Sequence, residues 1–314
     1  MSPLPAYDTA RFGWEHGGPY AGAPVIPALL GFAAQAASPL DGLLDAAATA
    51  AGNHLIVVGG RRSEAGTPVQ ATYAAPVGAD GSLGTVVRLA DLAVAVARPA
   101  LLFTGRYLYA IGGEASGGPT ATIQRAEWVG GALLPFEIAA YLPVSVWPPV
   151  VASSGSMAVV VGAAGAAAFR IEPDLSLSAP AGLALRSDGR SPSFAAFAGP
   201  WLFLGGGGAG DYLVADCTAD PAALAFHRWA EEPDGPAGGH RAAVDGATVW
   251  LAPDTRAEVG VVGLGSRGPT AHLAAGWALA DPRRKHAMAV VRGTLLVVGG
   301  TPAAPPEGAR ILAP

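Results

Sequence analysis

Arginine and histidine side chains, together with one tryptophan, recur in this chain just before runs of small and apolar residues. A guanidinium group offers a fixed fork of hydrogen-bond donors that matches a carboxylate, so several such groups together could bind an anionic sugar or a carboxylate. The candidates for this binding site are Arg98, Trp147, Arg190, His240, Arg241, Arg284 and His286. They are distant in sequence and can act together only if the fold gathers the segments that carry them.

The same histidines could instead take part in general acid–base catalysis on a sugar acid. A proton-transfer partner would then be needed, and the available carboxyl groups are those of Asp41, Asp45 and Glu114. No motif in the sequence identifies which of these carboxyl groups would be the partner. The sequence therefore allows both a binding site and a catalytic site.

No cofactor or metal site is predicted. The single cysteine, Cys217, excludes both an intrachain disulfide and a metal site built from several cysteines. Two glycine strings, residues 205–210 and 263–268, match a dinucleotide-binding fingerprint by letter. Neither string opens a helical pattern, and Pro269 follows the second, so both are interpreted as turns between strands.

The charge content narrows the range of partners. The net charge of −5 argues against nucleic-acid binding, which needs a basic surface. No run of about 18 apolar residues is present, so no membrane span is predicted. The first residues lack the basic and apolar regions of a signal peptide, which favours a cytoplasmic or a virion- or assembly-associated location.

Charged residues make up only 14% of the chain, whereas about 25% is typical of soluble domains. The surface is therefore either rich in alanine and glycine or partly buried against other protein subunits. The second alternative predicts protein partners.

One short pattern organises the chain. Residues 54–60 read H-L-I-V-V-G-G, and residues 295–300 repeat it almost unchanged as L-L-V-V-G-G. Related runs end at Gly113, Gly162, Gly206 and, in a degraded form, Pro253, so that successive copies are 44 to 53 residues apart. A period of this length with one strand-rich unit per period is the sequence signature of a β-propeller, and six units fit the chain.

The residue types explain why such units would assemble. Consecutive β-branched and large apolar residues suit a strand that is buried on both faces. The terminal glycines allow a positive φ and a sharp turn. A single sheet of this kind cannot bury its own faces, so the units are expected to stack around an axis.

The units also resemble the bacterial kelch-type repeat. Residues 70–92 contain the Asp80-Gly81-Ser82-Leu83-Gly84 hairpin typical of it, followed in register by Arg98 and by L-Y-A-I-G-G at residues 108–113. The resemblance covers roughly residues 25–314 and implies a closed, all-β, six-bladed kelch-like propeller. It departs from the pattern where the arginine of the first unit and several strand tryptophans are missing.

In the kelch frame, the segment before each innermost strand opens onto one mouth of the central channel. The resemblance therefore implies that Asp41, Asp45 and the seven candidate residues lie around this mouth. In the family such arginines commonly bind carbonyl groups of neighbouring blades, which is an alternative role for them here. A copper site like that of galactose-oxidase-like kelch enzymes is not supported: Tyr212 lies near Cys217, but no matching histidine ligands are found.

Two segments are predicted: an N-terminal arm at residues 1–22 and a propeller at residues 23–314. The arm carries Tyr7, Phe12, Trp14 and Tyr20, and either crosses the ring or docks on a neighbouring subunit. The sixth unit lacks an outermost strand, which residues 25–37 can supply, so that the N- and C-terminal strands pair and close the ring.

These features favour a non-catalytic interaction or structural propeller, a subunit of a larger assembly such as a phage tail, a virion or a cell-surface complex. A glycan-binding propeller and an epimerase or isomerase acting on a sugar acid at the channel mouth remain alternatives.

Overall fold

All regular elements in the described part of the chain are β-strands. The computed structural model describes residues 28–36, 38–163, 165–183, 191–205, 213–217, 226–228, 240–254, 257–265, 268–280 and 282–312. The predicted arm at residues 1–22 lies outside these ranges. Two short strands come first, β1 (Ala28–Leu29) and β2 (Ala33–Ala34).

The strands that follow form six antiparallel sheets, the blades, each starting with its innermost strand. Blade I consists of β3 (Ala47–Ala51), β4 (His54–Val58), β5 (Thr72–Pro76) and β6 (Val87–Arg88). Blade II consists of β7 (Ala100–Phe103), β8 (Tyr107–Ile111), β11 (Thr122–Val129), β12 (Ala132–Leu133) and β13 (Glu137–Tyr141), with a small hairpin of β9 (Glu114–Ala115) and β10 (Gly118–Pro119) beside it.

The other four blades repeat this arrangement. Blade III consists of β14 (Val150–Ser154), β15 (Met157–Gly162), β16 (Gly165–Arg170) and β17 (Ala181–Leu183). Blade IV consists of β18 (Phe194–Ala198), β19 (Trp201–Gly205), β20 (Leu213–Asp216) and β21 (Phe226–Arg228). Blade V consists of β22 (His240–Asp245), β23 (Thr248–Pro253), β24 (Glu258–Gly265) and β25 (Gly268–Ala278), and blade VI begins with β26 (Ala287–Val291), β27 (Thr294–Val298) and β28 (Glu307–Leu312).

The innermost strands β3, β7, β14, β18, β22 and β26 form a ring. Each of them contacts the innermost strands of both neighbouring blades. They enclose a central cavity of about 820 Å³, lined mainly by alanine, with valine, proline, phenylalanine and serine. The protein is therefore a six-bladed β-propeller, as the repeat pattern predicts.

The chain closes the ring with its own N-terminal strands. In blade VI, β28 pairs with β27 on one side and with β1 and β2 on the other. Ala28 lies opposite Leu312, and Ala33 lies opposite Gly308. The predicted closure by residues from the 25–37 segment is confirmed, and the edge of β28 is covered.

The hydrophobic core is divided among the blade interfaces. In the described residues, each pair of neighbouring blades shares one cluster of buried apolar side chains. The side chains of β4 alternate between two of them: Leu55 and Val57 pack towards blade VI, whereas Ile56 and Val58 pack towards blade II. This double-sided burial explains why the repeat is an uninterrupted apolar run.

The glycine pair of the repeat packs against the segment that leads into the next blade. We call the residues just before an innermost strand its entry segment: residues 43–46 for blade I, 96–99 for blade II and 283–286 for blade VI. Gly59 has a φ of +66°, and a Cβ atom on it would lie 2.2 Å from the carbonyl oxygen of Val96. A Cβ atom on Gly299 would likewise lie 2.2 Å from the carbonyl oxygen of Leu43. Glycine is thus required both for its backbone conformation and for the close approach of the next entry segment.

Candidate functional site

Three entry segments are linked by backbone hydrogen bonds at one mouth of the channel. Asp45, Arg98 and Lys285 occupy the same place in their segments and all have a positive φ, between 51° and 57°. The amide of Asp45 donates to the carbonyl of Lys285 at 2.8 Å, and the amide of Arg98 donates to the carbonyl of Asp45 at 2.7 Å. These backbone hydrogen bonds fix the positions of the Cα atoms of Asp45 and Arg98, from which their side chains extend.

The carboxylate of Asp45 gathers three arginines. The Asp45 side chain is 2% exposed, and its Oδ1 accepts hydrogen bonds from Nε of Arg98 at 2.6 Å and from an Nη of Arg241 at 3.0 Å. Its Oδ2 lies 3.5 Å from Nε of Arg61. A buried carboxylate is tolerated when it is paired in this way, and here one carboxylate serves three guanidinium groups.

Two further acidic residues lie beside this cluster. Glu114 binds an Nη of Arg61 at 2.8 Å. Asp254 lies 3.8 Å from Nε of Arg241, and its Oδ1 accepts a hydrogen bond from the amide of Lys285. Burial lowers the pKa of Arg241, whereas the charges of Asp254 and Asp45 act in the opposite direction. Within the described residues, Arg98 is the member of the cluster whose only carboxylate partner is Asp45.

His286 lies near Arg241 and lines the cavity. Its Nδ1 is 2.9 Å from the carbonyl oxygen of Arg283, and its Nε2 is buried with no hydrogen-bond partner among the described residues. Burial, reinforced by the charge of Arg241, lowers the pKa of His286 to about 3. The ring is therefore neutral at neutral pH, and because a carbonyl oxygen can only accept, its proton is on Nδ1.

Trp147 lies at the same mouth. The guanidinium carbon of Arg98 is 5.9 Å from the centre of the Trp147 ring, within the range of a cation–π contact. The tryptophan precedes the cis peptide bond to Pro148, at the entry to blade III. Arg98 is thus held by Asp45 on one side and by an aromatic ring on the other.

The structure brings four of the seven candidate residues together, namely Arg98, Trp147, Arg241 and His286. Arg284 does not join them: it is exposed, and its backbone pairs with Thr301. His240 begins β22, but its side chain lies outside the described part of the structure, as does all of Arg190. Of the acidic residues considered, Asp45 is at the centre of the cluster, whereas Asp41 caps the turn at Ser38.

Sequence reasoning missed Arg61 and Asp254. Both lie just after the second strand of a blade: Arg61 follows the glycine pair after β4, and Asp254 follows Pro253, the last residue of β23. Glu114 occupies the same place in blade II. The signal that could have revealed them is therefore the residue after each Gly-Gly repeat, which faces the entry segment across an antiparallel bridge such as that between Leu44 and Arg61.

No protein-family model matches the chain, and no curated protein matches it. Among the described residues there is no helix long and apolar enough to cross a membrane. In the same residues, no group of three or more histidine, cysteine, aspartate or glutamate side chains is placed to hold a metal ion.

Proposed function

We propose that this kelch-like propeller is a non-catalytic protein-interaction module and a subunit of a larger assembly, such as a phage tail, a virion or a cell-surface complex. A six-bladed β-propeller is consistent with protein-interaction roles. The fold alone does not select this function, because propellers host unrelated activities. The proposal therefore depends on a particular surface.

That surface is the outer part of blade II. Five of the ten large apolar side chains that are exposed in the described residues lie between positions 129 and 144: Val129, Leu134, Ile138, Tyr141 and Val144. Tyr141 is 61% exposed. Two of the five, Ile138 and Tyr141, lie on β13, and the others lie at the end of β11 and in the loops next to β12 and β13. Exposed apolar side chains concentrated in one part of the chain are typical of a protein-binding surface. This concentration is the observation that carries the proposal.

The backbone at this surface favours one mode of binding. Among the described strands, β13 pairs only with β11, so the amides and carbonyls along its other edge have no partner strand. Such an edge can accept an extended segment of another protein, with main-chain hydrogen bonds giving affinity and side-chain contacts giving specificity. We therefore infer a protein partner that adds a strand to β13 and covers Ile138 and Tyr141 with apolar side chains.

The experiment is a purification of the tagged protein from its native source, followed by size and mass analysis. The wild-type protein is expected in a large complex, whereas the double variant Ile138→Lys/Tyr141→Lys is expected as a single chain. Val87→Lys is the matched control, because Val87 is exposed on β6, the outer strand of blade I. It should remain in the complex.

Two results would overturn the proposal. One is a wild-type protein that is monomeric at high concentration and leaves its native source without a partner. The other is a complex that survives the double substitution at Ile138 and Tyr141. Circular dichroism of each variant establishes that the change acts on the surface and not on the fold.

A further inference from the structure

The charged end of the central channel contains a hydrogen-bond acceptor that nothing in the described residues satisfies. Nε2 of His286 is buried, carries no proton and has no partner, while the ring lines the cavity. Leaving a buried acceptor unsatisfied costs about 1–3 kcal/mol. A group that donates a hydrogen bond from inside the cavity would remove this cost.

Unused donors lie at the same end. Nε of Arg241 is buried without a hydrogen-bond partner, although Asp254 is 3.8 Å away. Arg98 donates through Nε to Asp45, and no described residue accepts from its two Nη atoms. A guanidinium group has five N–H donors, so both arginines retain capacity for a further acceptor.

The distribution of charge favours an anion near Arg98. Arg61 has Glu114 as a second carboxylate, and Arg241 has Asp254. Arg98 shares the single carboxylate of Asp45 with both of them and is about one-third exposed towards the mouth. A ligand carboxylate at Arg98 would therefore supply a second carboxylate partner and accept from its unused Nη donors, in the paired geometry that arginine forms with carboxylates.

We propose that this end of the channel binds a small hydroxycarboxylate, a class that includes sugar acids. Its carboxylate bridges the guanidinium groups of Arg98 and Arg241, and one of its hydroxyl groups donates a hydrogen bond to Nε2 of His286. The cavity of about 820 Å³ is large enough for such a molecule. This site lies at the ring axis, away from the outer edge of blade II, so it is independent of the protein-binding surface.

The chemistry of His286 suits binding better than proton transfer. A general base works best when its pKa lies near the working pH. Because the pKa of His286 is lowered to about 3, the ring would hold an abstracted proton poorly. Its defined tautomer, by contrast, presents a fixed lone pair to a hydroxyl donor.

The test uses calorimetric titration of the full chain with three matched six-carbon probes. D-gluconate has both a carboxylate and hydroxyl groups, hexanoate has only the carboxylate, and sorbitol has only the hydroxyl groups. Gluconate is expected to bind saturably and at least tenfold more tightly than either of the others. No saturable gluconate binding, or equally tight binding of hexanoate, would overturn the proposal.

Substitutions test whether gluconate binds at Arg98 and His286. Arg98→Ala is expected to weaken gluconate binding at least tenfold, whereas Arg106→Ala, which removes the same charge from an exposed pair with Glu127, should leave it unchanged. His286→Leu should reduce the preference for gluconate over hexanoate. If His286→Leu does not fold, the gluconate-to-hexanoate ratio of the wild-type protein still decides whether a hydroxyl group is recognised. Gluconate binding that is unaffected by Arg98→Ala would contradict the assignment.

Discussion

The carboxylate of Asp45 accepts a hydrogen bond of 2.6 Å from Nε of Arg98, a residue 53 positions later in the chain. The two residues occupy equivalent places in successive entry segments, and both have a positive φ. The same repeat position thus carries a carboxylate in blade I and a guanidinium cation in blade II. Their pairing ties blade I to blade II at the mouth of the channel and also sets the position of the guanidinium group.

Replacing Asp45 by asparagine should destabilise the protein. The amide keeps the size of the side chain but leaves Arg61, Arg98 and Arg241 without their shared negative charge. Removing one partner of a buried ion pair costs about 3–5 kcal/mol, and we expect about 2–3 kcal/mol here because the arginines reach solvent. Chemical denaturation measures the free energy of unfolding.

Asp91→Asn is the matched control, because Asp91 forms an exposed ion pair with Arg88. Exposed pairs contribute about 1 kcal/mol or less, so this variant should unfold almost like the wild-type protein. Equal effects of the two substitutions would show that the Asp45 cluster contributes no more than a surface pair.

His286 should make stability depend on pH. The pKa of this side chain is about 3 in the folded protein, because burial and Arg241 disfavour the charged form, and about 6.5 in the unfolded chain. The unfolded state therefore binds the additional proton between these two values. The stabilising contribution of neutral His286 is complete above about pH 6.5 and is lost as the pH falls towards 3.

The variant His286→Gln cannot titrate and should lose this dependence. Between pH 6 and pH 4 its free energy of unfolding should fall less steeply than that of the wild-type protein, by up to about 1.4 kcal/mol per pH unit for one proton. Denaturation curves at a series of pH values measure both slopes. Parallel slopes would mean that His286 has a similar pKa in the folded and unfolded states.

Gly59 and Gly52 allow backbone strain to be separated from steric conflict. Both have a φ near +60°, but a Cβ atom on Gly59 would lie 2.2 Å from the carbonyl oxygen of Val96, whereas nothing lies within 4 Å of one on Gly52. Gly52→Ala should cost about 1–2 kcal/mol from the left-handed backbone alone. Gly59→Ala should cost about 1–3 kcal/mol more, because the entry segment of blade II must move away. Equal melting temperatures for the two variants would show that the entry segment moves without cost.

The fold could be predicted from the sequence because its signal is repeated. The alternating burial of Leu55, Ile56, Val57 and Val58 requires an apolar residue at each position, and the same demand recurs in each blade. Ring closure could be predicted as well, since β26, β27 and β28 leave their blade one strand short. The role of the glycine pair was predicted only in part: its turn follows from the residue type, but its contact with the next entry segment depends on tertiary packing.

Of the candidate site, only the residues that occupy a fixed position in the repeat could be predicted. Arg98 and Arg241 precede innermost strands, so the repeat frame places them at the mouth. Arg61 and Asp254 come from a different part of the blade, which the repeat frame does not place at the mouth. The bridge between Leu44 and Arg61 sets Arg61 beside Asp45, and Asp254 joins the cluster through Arg241. The burial of His286 depends on the side chains around it, which the spacing of the repeat does not specify.

The closure of the ring provides the last prediction. Leu29 in β1 is 6% exposed and packs in the core between blades V and VI, whereas the next residue, Leu30, is 51% exposed. Leu29→Ala should lower the free energy of unfolding by about 2 kcal/mol or more, as is usual for a buried leucine, and Leu30→Ala should change it by less than about 0.5 kcal/mol. Because β1 covers the edge of β28, loosening it should also expose that edge and promote association at high concentration. Thermal denaturation and light scattering measure the two effects, and a Leu29→Ala protein as stable as Leu30→Ala would mean that the N-terminal strand does not hold the ring closed.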